Sequence, residues 1–141
     1  MLSATFKQVL RELTEWVRRA EDSLLALGAE RRCARRLDHL AGRLHEMGGK
    51  IDGLRTRLAG NRIEEPVDAD FSLREALKGL KEDIREIRLQ LAAMQRDYRS
   101  ARLQRAFMHL GATAEQTYAR ADKLQWEIAA HDERWRDAKF T

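Results

Sequence analysis

Cysteine, proline and aromatic residues are all scarce in this chain, and each scarcity excludes something. One cysteine among 141 residues rules out an internal disulfide framework and fits a reducing compartment. One proline leaves long helices uninterrupted, and 6% aromatic content is thin for a β-rich fold. No apolar run is long enough to cross a bilayer or to form the core of a signal peptide. The amphipathic start, Met1 to Trp16, carries Glu12 and Glu15, which argue against a transit peptide. These absences predict a cytoplasmic protein that does not enter the membrane. A large excess of one charge is missing too: the net charge is only +4, with 27 basic residues against 23 acidic. Arginine far outnumbers lysine, which reads as genome composition rather than as evidence of nucleic-acid binding.

Apolar periodicity is abundant. From Cys33 the series Leu37, Leu40, Leu44, Met47, Ile51, Leu54, Leu58 advances by alternate fours and threes. A second series runs Leu73, Leu77, Leu80, Ile84, Ile87, Leu91, Met94, Tyr98, Ala101. This spacing returns to one side of a slightly underwound helix and is the seam of a coiled coil. Folded back antiparallel, the two series face each other layer by layer, with Ile51 opposite Leu80 and Cys33 opposite Tyr98. Basic residues flank the first seam at Arg36, Arg43 and Lys50. They meet Asp97, Gln90 and Asp83 in that register, which favours an intramolecular hairpin over a parallel dimer.

Local signals predict four helices, over about 3–27, 30–59, 72–110 and 114–138. The first carries Phe6, Leu10, Leu13, Val17, Ala20, Leu24 and Leu27 in heptad spacing, widened by Val9 and Trp16. Gly28 and Gly111 read as left-handed C-caps. Ser72 with Glu75, and Thr113 with Gln116, read as capping boxes. Pro66 and four acids, Glu64, Glu65, Asp68 and Asp70, mark the one real loop. Beyond Ala101 the apolar residues Leu103, Phe107 and Leu110 move to another side of the helix. They are expected to pack on Leu24, Leu27 and the start of the fourth helix. The fourth seam is Ala114, Thr117, Ala121, Leu124, Ile128, His131, Trp135 and Ala138. The expected fold is therefore all-α: one domain over residues 1–141, a four-helix bundle built around an elongated antiparallel coiled-coil hairpin of the second and third helices.

Three features stand outside the seams. Arg74, Lys78, Lys81, Arg85, Arg88, Arg96 and Arg99 line one side of the third helix for about 38 Å at 1.5 Å per residue. Such a stripe can follow phosphates, pair with acids of neighbouring helices, or simply be solvated. Gly42, Gly49 and Gly53 share the outer side of the second helix, where a smooth face would admit a partner backbone. Trp126 lies opposite the fourth seam among small residues, including Ala119 and Ala130, as an interface anchor would.

Chemistry is poorly represented. No histidine has an acid three residues before it, so the Glu-x-x-His pairs of bundle metal sites are missing. The Glu127/His131 pair has no second half-site, and His131 reads as a hydrogen-bonded core histidine. Cys33 reads as a small buried hydrophobe. The Gly48-Gly49-Lys50 run lacks the spacing of a phosphate-binding loop. The sequence therefore predicts a non-enzymatic interaction module with no metal or cofactor, an adaptor, assembly subunit or inhibitor that binds another protein and is open to self-association. The alternative is a small basic subunit lying along nucleic acid.

Overall fold

The computed structural model describes residues 4–60 and 72–140, apart from the side chains of Ser72, Lys139 and Phe140. The predicted loop between Asn61 and Asp70 and the capping role of the Ser72 side chain lie outside the described residues. The described chain forms three helices: α1 (Ala4–Gly60), α2 (Ser72–Asp97) and α3 (Ala101–Phe140). The all-α expectation holds, and the count of four helices is corrected to three.

Both helix stops expected at glycine fail. α1 runs through Gly28 and α3 through Gly111. None of the chain's glycines adopts the left-handed backbone that a C-cap requires. A glycine inside a helix costs roughly 1 kcal/mol relative to alanine. That is less than the cost of breaking the hydrogen-bond ladder where Ala29 and Glu30, or Ala112 and Ala114, are ready to continue it. Thr113 starts no helix either: in mid-helix its hydroxyl donates to the carbonyl of His109, four residues back.

The break that does occur lies at Tyr98–Ser100, where the predicted third helix was continuous. Ser100 takes the N-cap position, its carbonyl accepting the first helical bond from Gln104 N–H. The Gln104 side chain donates to the Tyr98 carbonyl and accepts from Gln95 across the corner. The change of apolar face beyond Ala101 is thus a reversal of the chain. α2 and α3 pack antiparallel, as Gln95 with Gln104 at one end and Arg74 with Asp132 at the other require.

Joining the predicted end of the third helix to the fourth reveals one seam: Leu103, Phe107, Leu110, Ala114, Thr117, Ala121, Leu124, Ile128, His131. All nine residues are buried. The seams of α1 from Cys33 and of α2 from Leu73 are buried in the same core. The body is therefore a three-helix coiled coil, with α1 and α3 parallel and α2 antiparallel to both. Leu103, Phe107 and Leu110 fill this core and do not pack on Leu24 and Leu27, which stay exposed. The centre of α3 offers small residues, Ala114, Thr117 and Ala121, and Gly48 of α1 is buried near them. Arg120 takes the space above Gly48, with its Nη1 at 3.2 Å from where a Cβ would stand.

The register agrees with the seam pairing. Arg120 reaches Gly48 and Asp52 on α1, while Asp122 reaches Lys81 on α2, so Ile51 and Leu80 stand at the same height. The flanking pairs expected between the hairpin helices, Lys50 with Asp83 and Arg36 with Asp97, do not form among the described residues. The ion pairs there join α3 to its two neighbours instead: Arg74–Asp132, Lys81–Asp122 and Arg88–Glu115 to α2, Arg55–Glu127 and Arg120–Asp52 to α1. α3 supplies the acid to four of these pairs and the arginine to the fifth.

Before Cys33 the large apolar side chains of α1 are not buried. Val9, Leu10, Leu13, Trp16, Val17, Leu24 and Leu27 are each between 45% and 68% exposed. The spacing explains why. Leu27 to Cys33 is six residues, which at about 100° per residue falls a third of a turn short of two full turns. The apolar stripe of this arm therefore points away from the core seam. α1 carries it about 35 Å from Leu27 back to Ala4.

Two variants test this body. In a Cys33→Ser background, cysteines at Ile51 and Leu80 should cross-link within one chain on mild oxidation, and a non-reducing gel should show a faster monomer band. Leu44→Ala should lower unfolding free energy by about 2–5 kcal/mol in a denaturant titration.

Candidate functional surfaces

The basic side of α2 faces α3. Lys81, the least exposed of its cations, bonds Asp122 at 3.0 Å and the Gln125 side-chain oxygen at 2.7 Å. Arg85 donates to the Tyr118 hydroxyl at 2.8 Å. Arg88 stands 3.8 Å from Glu115, and Arg74 pairs with Asp132. Lys81, Arg85 and Arg88 also lie over the Tyr118 ring at 5.0, 5.6 and 6.0 Å. The Arg85 hydrogen bond, aided by the positive charge of Lys81 and Arg85, holds the Tyr118 phenol below its ordinary range against an opposing effect of desolvation. Four of the seven stripe residues thus hold α3 in place, while Lys78, Arg96 and Arg99 are exposed outside this set. Between the two helices runs an open groove of about 600 Å³, whose lining mixes Arg74, Lys78 and Arg136 with Glu75, Glu82 and Asp132. Such a mixture gives no uniform field for a polyanion.

The remaining candidates are dispersed. Trp126 is 72% exposed, with Ala119, Ala129 and Ala130 exposed around it. Gly42, Gly49 and Gly53 are exposed on α1, and an added Cβ at each would meet nothing within 4 Å. Trp126 and these glycines lie on different helices, α3 and α1.

His131 is buried in the core seam as expected, but neither ring nitrogen has a hydrogen-bond partner. It shares a cavity of about 390 Å³ with Arg55, Glu127 and Arg134, and the Arg55 Nε lies 3.6 Å from Glu127. The Nε and Nη2 atoms of Arg55 are likewise buried without a hydrogen bond. Cys33 is 1% exposed, and burial pushes its thiol up, with nearby Arg36 opposing and Glu30 reinforcing the shift. A thiol held protonated in a core is a poor nucleophile. Among the described residues no group of three or more His, Cys, Asp or Glu side chains could hold a metal ion, and no helix is long and apolar enough to cross a membrane.

Among the described residues most of the exposed large apolar side chains lie on the arm of α1, which sequence reasoning assigned to the core of a bundle. The signal that marks it as separate is the six-residue step from Leu27 to Cys33. A seam meant to continue would have placed its next residues at 31 and 34, where Arg31 and Ala34 stand.

Replacing His131 by leucine removes two buried polar atoms that have no hydrogen-bond partner among the described residues. His131→Leu should therefore raise unfolding free energy, by about 1–3 kcal/mol in denaturant melts. Trp126→Ala should leave it within about 0.5 kcal/mol of the parent, as exposed substitutions do. Comparison of the chain with protein families, with curated proteins and with solved structures returns no match.

Proposed function

We propose that the protein is a non-enzymatic helical interaction module, an adaptor, assembly subunit or inhibitor, and that the α1 arm is its docking element. One observation carries this reading. Seven large apolar side chains form a single stripe, each about half exposed or more, on a helix continuous with a well-packed body. Contiguous apolar patches of this size on soluble domains mark sites that another surface covers. An amphipathic helix offering residues at i, i+3, i+4 and i+7 is a common recognition element for protein grooves and for other helices. Trp126 with its ring of alanines, and the glycine side of α1, would serve as secondary contacts.

A membrane surface is a weaker fit for the arm. Its basic residues Lys7, Arg11, Arg18 and Arg19 are balanced by Glu12, Glu15, Glu21 and Asp22, so it lacks the basic face that draws helices to anionic lipid. The phosphate-binding alternative draws on a stripe of which Arg74, Lys81, Arg85 and Arg88 are already engaged by α3.

Leu13→Asp together with Val17→Asp should abolish partner retention while leaving the thermal midpoint of the body unchanged, since neither residue touches its core. Loss of binding on Trp126→Ala, with none on the Leu13/Val17 variant, would move the docking element to α3.

A further inference from the structure

We infer that the occupant of the arm is a second copy of this chain, laid antiparallel along the first. The inference rests on the docking reading of the arm and names its partner. In heptad terms Leu10, Val17 and Leu24 are one class of seam position and Leu13, Ala20 and Leu27 the other. An antiparallel pair joins unlike classes, and one register sets apolar residues opposite one another from Phe6 to Leu24. It sets Leu13 against Val17 of the second copy and Leu10 against Ala20, each layer occurring twice about a two-fold axis. Leu10 thus meets a small residue, and Leu24 faces Phe6 of the second copy.

The flanks agree with this register. Lys7 falls beside Glu21 of the second copy, and Glu21 beside its Lys7, giving two opposite-charge pairs. On the other flank Trp16 meets Trp16 across the axis, which gives an otherwise exposed indole an aromatic neighbour. Sliding the pair by one heptad puts Lys7 beside Thr14 or Gly28 and breaks the charge match. A parallel pair would set Trp16 beside Glu21 and Val9 beside Thr14, matching no charges. Self-complementarity of this kind is what an isologous two-fold interface needs.

Size and sterics are consistent with it as well. The seven exposed side chains hold on the order of 700 Å² of surface, close to the ~800 Å² per partner of a standard interface. In the antiparallel register the two three-helix bodies, each beginning at Cys33, stand at opposite ends of the shared segment and do not collide.

The test uses the full chain in a Cys33→Ser background. Light scattering should show a concentration-dependent rise from the 16.4 kDa monomer toward twice that mass. Mixing Leu13→Cys with Val17→Cys chains should yield a disulfide-linked dimer on mild oxidation, while Leu13→Cys alone should not. Lys7→Glu should weaken self-association about three- to tenfold, and adding Glu21→Lys to the same chain should restore it. A chain that remains monomeric at about 100 μM, cross-linking by Leu13→Cys alone, or no recovery by the double reversal would overturn the proposal. If the chain is monomeric yet Leu13→Asp still abolishes retention of another protein, only the second copy is wrong. If it is monomeric and that variant changes nothing, the docking role of the arm falls too.

Discussion

Everything in this molecule depends on the phase of its apolar residues around each helix. A hydrogen-bonded helix has no reason to persist in water unless one side of it is covered, because propensity alone leaves isolated helices marginal. Three seams of alternate threes and fours, from Cys33, Leu73 and Leu103, keep their phase over the same height and so close on one another. Where the phase is kept the side chains are buried. Where it slips by a third of a turn, between Leu27 and Cys33, they are exposed.

Electrostatics then decides how the third helix lies on the hairpin. Lys81 and Arg85, or Arg85 and Arg88, are like charges one helical turn apart, an arrangement that costs an isolated helix stability. Asp122, the Tyr118 hydroxyl and Glu115 remove that cost from the neighbouring helix. The pairs are partly exposed, so each stabilises only modestly. Several of them ranged along α3 nonetheless penalise a slip of one heptad, because every partner would be lost together.

The two seams of the hairpin were readable from the sequence as far as Leu58 and Met94, beyond which Tyr98 is half-buried and Ala101 exposed; so was the burial of Cys33, Thr117 and His131, because burial there follows from period alone. The helix ends were misread because glycine and a Thr-x-x-Gln tetrad are local signals, and continuous periodicity outweighs them. Leu103 to His131 never breaks step, and that regularity predicts helix through Gly111 more strongly than Gly111 predicts a stop. The basic stripe was readable as a stripe, while its partners on α3 were not, since they depend on which side of the hairpin the last helix occupies. His131 was placed correctly in the core, yet its lack of a hydrogen bond depends on neighbours that no spacing rule names. Trp126 was rightly expected at the surface. The arm was not recognised as a surface at all, because an amphipathic stripe looks the same whether or not its cover is present.

The step between Leu27 and Cys33 has a geometric consequence. Because α1 is one uninterrupted helix, the number of residues in that step fixes the azimuth at which anything resting on the arm stands relative to α2 and α3. Six residues turn the stripe out to the flank, so an occupant approaches from beside the body. A seventh would bring the stripe into line with the core seam and turn the same arm into a coaxial extension of the coiled coil. The helix thus works as a protractor, and a single-residue insertion or deletion would reset the angle of assembly without altering any contact within the body or on the arm.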